Sequence, residues 1–267
     1  MAEPAVIVEK DGHVLTVTLN RPEKRNAVNC EVMCRLYDAW QQLDQDDELR
    51  AAILTGKGDT FCAGMDLSEI GKLMSGKPDN EWMQRVMSDM PIIYGAWLKT
   101  YRPTKPVILA VEGFARAGGT EILQGTDIRV AGDGATFGVW EAKRGLFPLG
   151  GSSCRLPRQV PYTVAMDILL TARPVSADEA LRIGLIGRVV PDGMALTVAR
   201  GIAEQVAACG PLSTKAILRA WRETEHLSDL EAMKHQDSIG WEVFASEDAK
   251  EGPRAFAEKR PPVFHGR

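Results

Sequence analysis

Apolar and polar side chains alternate along the first twenty residues, with one interruption. Residues 5–10 (AVIVEK) and 13–20 (HVLTVTLN) form two such runs, and Asp11-Gly12 separates them. Asp-Gly between alternating runs is typical of the tight turn of a β-hairpin. The N-terminal segment is therefore predicted to form two antiparallel strands.

Between Val32 and Leu43 the apolar positions recur every three or four residues, which predicts an amphipathic helix. Two later runs, AAILTG at 51–56 and VILAVEG at 107–113, are short and almost wholly apolar. Such runs are typical of strands that are buried on both faces. Residues 127–138 predict further short strands.

Helical signals dominate the C-terminal part of the chain. Ser176 and Ser228 are each followed three residues later by a glutamate, Glu179 and Glu231, which is the spacing of a capping box at a helix N-terminus. No Pro/Ser linker, low-complexity tract or exact repeat divides the sequence. We therefore expect an α/β core over residues 1–190 and a helical C-terminal region over residues 191–267.

Composition and charge narrow the classes of function. The chain has 267 residues, of which 45% are hydrophobic and 25% charged, as in an ordinary globular protein. Its net charge of −4 disfavours a nucleic-acid partner, which requires a basic face, but allows a small anionic ligand. No apolar run approaches the roughly 20 residues that would cross a membrane, and the segment MAEPAVIVEK does not resemble a signal peptide.

The cysteines and histidines favour a reduced, metal-free protein in the cytoplasm. The five cysteines are odd in number and show no CxxC spacing, so free thiols are expected. The four histidines are scattered, so no metal site is predicted. The residues are Cys30, Cys34, Cys62, Cys154 and Cys209, with His13, His226, His235 and His265.

Two motifs match phosphate-binding loops only in part. Residues 71–77 (GKLMSGK) follow most of a Walker A pattern, but Pro78 stands where a Ser or Thr should hold magnesium. Residues 56–61 (GKGDTF) begin like a dinucleotide-binding fingerprint but carry Phe61 in place of the third glycine. Residues 71–77 are therefore interpreted as a mobile surface loop.

Nucleophilic hydrolase chemistry is also disfavoured, since the sequence contains no GxSxG elbow. Ser152 and Ser153 follow a glycine pair, but no histidine lies near them in sequence to activate a hydroxyl. Helix capping is the favoured interpretation of these serines.

Two glycine-bearing turns follow the two buried strands, at residues 61–67 (FCAGMDL) and 115–121 (ARAGGTE). Glycines let the backbone N–H groups face a ligand, and a helix that starts directly afterwards favours negative charge there. Two N–H groups that converge on one oxygen would form an oxyanion hole. Ordinary strand-to-helix turns share this pattern, so spacing alone leaves both interpretations open.

Two glutamates are candidates for acid–base chemistry. Glu121 lies in the first turn of a predicted helix, where acids are common because of the helix dipole. Glu141 follows twenty residues later, and a surface salt bridge with Lys143 or Arg144 would also explain it. Two carboxyl groups in different environments can divide into one acid and one base at neutral pH.

Six segments carry a resemblance that spans practically the whole chain. Together, in order and spacing, they resemble the crotonase superfamily, the enoyl-CoA hydratases and isomerases, and are most similar to actinobacterial enoyl-CoA hydratases. The segments are 20–28 (NRPEKRNAV), 61–70 (FCAGMDLSEI), 111–121 (VEGFARAGGTE), 137–151 (FGVWEAKRGLFPLGG), 169–191 (LLTARPVSADEALRIGLIGRVVP) and 251–262 (EGPRAFAEKRPP).

The resemblance implies a crotonase-type α/β core of repeated ββα units and a helical C-terminal trimerisation region. It implies an enoyl-CoA hydratase, a hydro-lyase that reversibly adds water in syn fashion to a trans-2-enoyl-CoA, in fatty-acid or steroid side-chain β-oxidation. The matching oxyanion donors are the N–H groups of Met65 and Gly118. Glu121 matches the residue that activates water, and Glu141 matches the residue that gives a proton to C2.

The resemblance also implies an acyl-CoA thioester as the substrate, with no cofactor beyond the CoA that it carries. Lys24 and Arg25 match phosphate contacts, although solvated charge would explain them equally. The homo-oligomers of the family are trimers, often paired into hexamers, in which a C-terminal segment completes a neighbouring subunit's site. The remaining residues matched to CoA binding are Ala27, Ala63, Asp66, Leu67, Phe256 and Lys259.

Some positions depart from the family pattern. Val139 and Trp140 precede Glu141 where many hydratases have a proline, and Gln124 occupies a position that is usually small and apolar. Gln124 is interpreted either as a water-binding residue or as part of a subunit interface. Two other functions stay open: double-bond isomerisation by a single glutamate, and non-catalytic acyl-CoA binding. The two acids favour the hydratase.

Overall fold

A computed structural model describes residues 3–267, apart from the side chain of Met74. Its main sheet has six strands, in the spatial order β1-β2-β3-β4-β6-β9. The predicted hairpin is confirmed, since β1 pairs antiparallel with β2, and every other neighbour in this sheet is parallel. The strands are β1 Val6–Asp11, β2 Val14–Leu19, β3 Ala51–Gly56, β4 Val107–Val111, β5 Phe114–Arg116, β6 Ile128–Gly132, β7 Thr136–Gly138, β8 Val175–Ser176 and β9 Arg188–Val190.

Helices connect the parallel strands and cover both faces of the main sheet. The predicted amphipathic helix is confirmed as α1, and both capping serines stand at N-caps, Ser176 before α8 and Ser228 before α11. The helices are α1 Cys30–Gln45, α2 Leu67–Ser75, α3 Glu81–Ser88, α4 Pro91–Ala96, α5 Gly118–Leu123, α6 Ser152–Gln159, α7 Tyr162–Thr171, α8 Ala177–Arg182, α9 Ala195–Ala208, α10 Pro211–Thr224, α11 Asp229–Phe244 and α12 Glu247–Ala257.

The apolar runs of β3 and β4 are continuous because both faces of the sheet are buried. In β3, Ala52 and Leu54 face the larger core, whereas Ala51 and Ile53 face α9. The side chains of α9 that meet the sheet are small, mainly alanines, so the helix lies close to the strands. This packing explains why the strands show no polar–apolar alternation.

A second, three-stranded sheet has the order β5-β7-β8. β4 of the main sheet is followed by β5 of the small sheet and then by α5, and β6 is followed in the same way by β7 and then by α6. These successions are the expected ββα units. The α/β fold predicted from the sequence is therefore confirmed, whereas its division at residue 190 stays a prediction.

Two local expectations were wrong. Residues 71–75 continue α2, which ends at Gly76 in a left-handed conformation with φ of 70°, so the supposed loop is largely helical. The turn before Glu121 does not follow β4 directly, because β5 intervenes.

None of the described helices combines the length and apolar character needed to cross a membrane.

Candidate functional site

The small sheet brings the predicted site segments together. β5 and β7 are parallel, with Arg116 opposite Gly138, so the chain leaves both strands at the same end. Glu121 follows β5 by five residues and Glu141 follows β7 by three. The parallel pairing of β5 with β7 thus places two segments that are twenty residues apart in sequence at the same end of the small sheet.

The first glycine-bearing turn continues this ladder on the other side of β5. A bridge pairs Cys62 with Ala115, where the N–H of Arg116 donates to the carbonyl of Cys62 at 2.9 Å. A second bridge pairs Met65 with Val28 of the N-terminal loop. The two turns and both glutamates thus belong to one hydrogen-bonded assembly.

Met65 and Gly118 present unused backbone donors. The neighbouring N–H groups of Asp66 and Ala117 donate to the carbonyls of Val28 and Gly138, at 2.8 and 2.7 Å. Within residues 3–267, no hydrogen-bond acceptor faces the N–H of Met65 or of Gly118. The two turns meet closely, because a Cβ placed on Gly64 would lie 3.1 Å from the nitrogen of Gly118.

The close packing of the two turns requires glycine at positions 64 and 118. Gly64 has φ of 93°, and Ala117, which is not a glycine, is held at φ 49° and ψ −122°. A Cβ on Gly118 would lie 2.5 Å from the indole of Trp97. Strained backbone of this kind costs about 1–3 kcal/mol and is characteristic of functional sites.

Glu121 is buried, with 5% of its surface exposed. Its Oε1 accepts a hydrogen bond of 3.1 Å from the N–H of Ser152. Burial raises the pKa of Glu121, while the N–H groups of Ser152, Gly150 and Gly151 act in the opposite direction. The carboxylate therefore has a raised basicity and a fixed orientation.

Glu141 is half-buried at the start of a short 3-10 turn, Ala142–Arg144. Burial, followed by the charge of Glu121, raises the pKa of Glu141 to about 7. In the described part of the chain Glu141 forms no ion pair with Lys143 or Arg144, and its Oε2 is buried without a partner. A surface salt bridge is thus the wrong interpretation of this residue.

Four of the predicted CoA-binding residues lie beside the two glycine-bearing turns. Lys24 and Arg25 are exposed, and Arg25 has a left-handed conformation with φ of 52°. The carbonyl of Arg25 accepts a hydrogen bond of 3.0 Å from the N–H of Ala63. Ala27 is fixed next to them, since its N–H donates to the carbonyl of Lys24 at 3.0 Å.

Asp66 and Leu67 begin α2 directly after Met65. Asp66 is the N-cap and forms an ion pair of 3.2 Å with Arg21. Burial acts to raise the pKa of Asp66, but hydrogen bonds from Ser68 and Arg21 outweigh it and lower the pKa. Leu67 is 55% exposed and offers an apolar surface at the start of α2, close to Met65 in sequence.

Phe256 and Lys259 are placed elsewhere, at the C-terminal end of α12. Phe256 is 87% exposed, and the only described hydrogen bond between these two residues joins the N–H of Lys259 to the carbonyl of Phe256. Within one chain the structure does not bring them into contact with the other predicted residues.

Three contributors to the site were not predicted from the sequence. Trp97 covers Gly118, and Arg116 stacks between Phe114 and Trp140, with its guanidinium 4.0 and 4.4 Å from the two ring centroids. The alternation of Phe114 and Arg116 in one strand was a signal that could have placed both on the same face.

The third contributor is the segment 150–152. Ser152 was expected to cap a helix, but Gly151 is the N-cap of α6 and the Ser152 side chain makes no capping bond. The N–H of Ser152 instead contacts Glu121. Gly150 permits this approach, since a Cβ there would lie 2.6 Å from Oε2 of Glu121.

Comparison with known proteins agrees with the geometry. Residues 9–267 match the model of the enoyl-CoA hydratase/isomerase family. The enoyl-CoA hydratase EchA19 of Mycobacterium tuberculosis is 54% identical over 264 residues, which cover 99% of this chain and 97% of that protein. The (E)-benzylidenesuccinyl-CoA hydratase of Thauera aromatica is 36% identical, over 98% and 99% of the two chains.

Solved structures give the same result. The crystal structure of the enoyl-CoA hydratase EchA1 from Mycobacterium marinum has a TM-score of 0.89 and 41% identity, over 99% of this chain and all of that one. The resemblance found in the sequence is confirmed, as is the hydro-lyase class of enzyme. This chain belongs to the enoyl-CoA hydratase/isomerase family.

Proposed function

We propose that this protein hydrates trans-2-enoyl-CoA thioesters reversibly to 3-hydroxyacyl-CoA. The observation that carries the proposal is the pair of carboxyl groups, Glu121 and Glu141, which lie near enough for the charge of Glu121 to raise the pKa of Glu141. Hydration of a double bond takes one proton from water and delivers one to carbon, and two carboxyl groups at a single pocket can divide these transfers between a base and an acid. The names of the hydratase relatives support the same reaction.

The oxyanion turns would activate the double bond. The thioester oxygen accepts hydrogen bonds from the free N–H groups of Met65 and Gly118, so that electron density moves toward the oxygen and C3 becomes electrophilic. Each such donor is worth about 2.7–4 kcal/mol in the transition state. The donors are fixed before substrate binds, because Ala117 and Gly64 hold the turns in place.

The carboxyl pair would then transfer the protons. Glu121, ionised, takes a proton from water while the water oxygen bonds to C3 and the C2–C3 π electrons form an enolate. Glu141, protonated, donates its proton to C2 as the enolate collapses. One water is consumed, both of its hydrogen equivalents are accounted for, and proton exchange returns the pair to its starting state.

The CoA part would lie along the N-terminal loop. Lys24 and Arg25 offer exposed positive charge for phosphates, and the backbone at Ala27, Ala63 and Asp66 lines the approach to Met65. The only cofactor moiety that this chemistry requires is the CoA of the substrate.

The acyl part would lie against apolar side chains near Glu141. Leu146, Phe147 and Leu149 are 47%, 64% and 59% exposed, and the N–H of Leu146 donates to the carbonyl of Glu141 at 3.0 Å. Exposed apolar groups beside polar catalytic groups suit the acyl chains of fatty-acid or steroid side-chain β-oxidation. Among these substrates, a strongly apolar chain fits this surface best.

We also propose a homo-oligomer, a trimer or hexamer. Helices α10 and α11 expose large apolar side chains, of which Ile217, Trp241 and Phe244 line a cavity of about 510 Å³ that contains neither glutamate of the pair. Exposed apolar surface of this kind marks an interface. Light scattering that gave only the monomer mass of 29.2 kDa would contradict the proposal. The apolar residues are Ile217, Trp221, Met233, Trp241 and Phe244.

The proposed compartment is the cytoplasm. All five cysteines are free, which agrees with a reducing environment. Burial raises the pKa of Cys30 to about 12 and that of Cys34 to about 11, so both thiols stay protonated and unreactive.

Removal of either carboxyl group should abolish hydration. We expect Glu121→Gln and Glu141→Gln each to lower kcat by about 10²–10⁴-fold, because an amide neither accepts nor donates the transferred proton. The assay follows loss of enone absorbance across a panel of trans-2-enoyl-CoA esters, with mass spectrometry to detect the added water. The exposed Glu231→Gln is the matched control and should keep wild-type activity. A variant that retained a tenth of that activity would argue against the paired mechanism.

The pH profile should identify a shared proton. The active enzyme carries one proton on the pair, so kcat/KM falls as pH rises through about 7, where Glu141 loses its proton. Hydration releases no proton overall, so kcat/KM for dehydration must decline in parallel. An isomerase with one ionised glutamate would instead rise to a plateau, and such a profile would exclude the hydratase mechanism.

Substitution at the oxyanion turn should affect stability and turnover together. In Gly118→Ala the added Cβ collides with Trp97, so we expect a loss of about 1–3 kcal/mol in the free energy of unfolding and a fall of about 10²–10³-fold in kcat. Gly71→Ala is the control, because a Cβ there meets no atom within 4 Å. Urea unfolding and the hydration assay measure the two effects. Unchanged turnover in Gly118→Ala would place the oxyanion donor elsewhere.

A further inference from the structure

Gln124 is a buried polar residue close to the proposed catalytic base. It is the C-cap of α5, three residues after Glu121, and only 1% of its surface is exposed. A subunit interface is thereby the wrong interpretation of this glutamine, because the side chain points into the protein. A glutamine loses considerable free energy on burial unless its amide is hydrogen-bonded.

The amide of Gln124 reaches the segment that holds Glu121. Its Nε2 lies 2.8 Å from Oγ of Ser152, and the N–H of Ser152 donates to Oε1 of Glu121 at 3.1 Å. Ser152 is fully buried, so water does not compete for these contacts. A continuous path thus runs from Gln124 through Ser152 to the carboxylate.

The glutamine itself is anchored at its backbone. The carbonyl of Gln124 accepts a hydrogen bond of 2.9 Å from Nε2 of Gln159 and one of 3.3 Å from Arg129. Arg129 in turn donates to the carbonyl of Leu185 at 2.8 Å. The backbone of Gln124 is therefore held independently of Ser152, whereas within the described residues its side-chain amide makes one hydrogen bond, from Nε2 to Ser152, and Oε1 has no partner.

We propose that Gln124 is a positioning residue for the base in the proposed hydration reaction: through the Ser152 hydroxyl it holds the Ser152 N–H against the Glu121 carboxylate. The inference rests on the proposed function, and it adds a residue that makes no contact with substrate. Hydrogen bonds from Ser152, Gly150 and Gly151 oppose the effect of burial on the pKa of Glu121, so a displaced segment would change both the aim and the basicity of the base.

Gln124→Met tests the proposal, since methionine matches the length of glutamine without its amide. We expect kcat to fall roughly 10- to 100-fold with KM within about twofold of wild type, as for a group displaced in the transition state. On the acid side of the pH profile, kcat/KM declines as Glu121 takes up a proton. This acid limb should move to higher pH, because the loss of hydrogen-bond donors to the charged form raises the pKa of Glu121. The charged groups that face Glu121, namely Glu141, Lys99 and Arg155, are unchanged in this variant.

Two further variants locate the effect. Ser152→Ala removes the hydroxyl but keeps the N–H, and should reproduce the loss and the shifted limb, whereas Ser152→Thr should restore both. Because the two residues act in series, the double variant Gln124→Met/Ser152→Ala should be no slower than either single variant.

Gln159→Met is the matched control for a merely structural effect. It makes the same chemical change in the same region and removes hydrogen bonds to the backbone carbonyl of Gln124 and from Arg129, but none to the side chain of Gln124. We expect a lower unfolding temperature with an unmoved acid limb. An equal shift of the limb in Gln159→Met, additive losses in the double variant, or wild-type kcat in Gln124→Met would each overturn the proposal. A wild-type protein without hydratase activity would instead overturn the proposed function.

Discussion

The buried carboxylate of Glu121 needs hydrogen bonds from the protein to replace those it has lost from water. The conformation of the surrounding backbone depends on this need. An isolated ionised carboxylate in an apolar interior costs many kcal/mol. The backbone of residues 150–152 supplies the compensation by turning its N–H groups toward the carboxylate. That approach in turn requires Gly150, and Gly151 as well, whose φ of 123° suits only glycine.

The same requirement separates the two carboxyl groups chemically. Glu121 accepts a hydrogen bond from the Ser152 N–H, whereas Oε2 of Glu141 is buried without a partner, and burial together with the charge of Glu121 raises the pKa of Glu141 to about 7. Burial and the charge of Glu121 raise the pKa of Glu141 more than its own backbone donors lower it, and this difference suits the proposed division into one base and one acid. The difference arises from the surroundings of the two carboxyl groups, since the side chains are identical.

The strands and the long helix could be predicted because their patterns are local. The apolar runs of β3 and β4 and the helical period of α1 are properties of a few successive residues. The meeting of Glu121 and Glu141 could not be derived this way, because it depends on the parallel pairing of β5 with β7, strands of three residues each. Only the resemblance to a family linked the two acids.

The errors have the same cause. Ser152 carries an ordinary capping residue type, and its true contact is with a side chain thirty-one positions earlier. Gly71 suggested a loop by its propensity, but the amphipathic packing of α2 outweighs the weak preference of a single glycine. Trp97 gave no signal at all, because its effect is the close approach of an indole to a backbone far away in sequence.

The pairings of Val28 with Met65, of Cys62 with Ala115 and of Ala115 with Phe137 also bear on how this part of the protein opens locally. Met65 and the strands that precede Gly118, Glu121 and Glu141 belong to this one set of short pairings. Parts of a protein that share their hydrogen bonds open and close as a unit, well below the free energy of global unfolding. We therefore expect these segments to open together in amide exchange rather than one at a time.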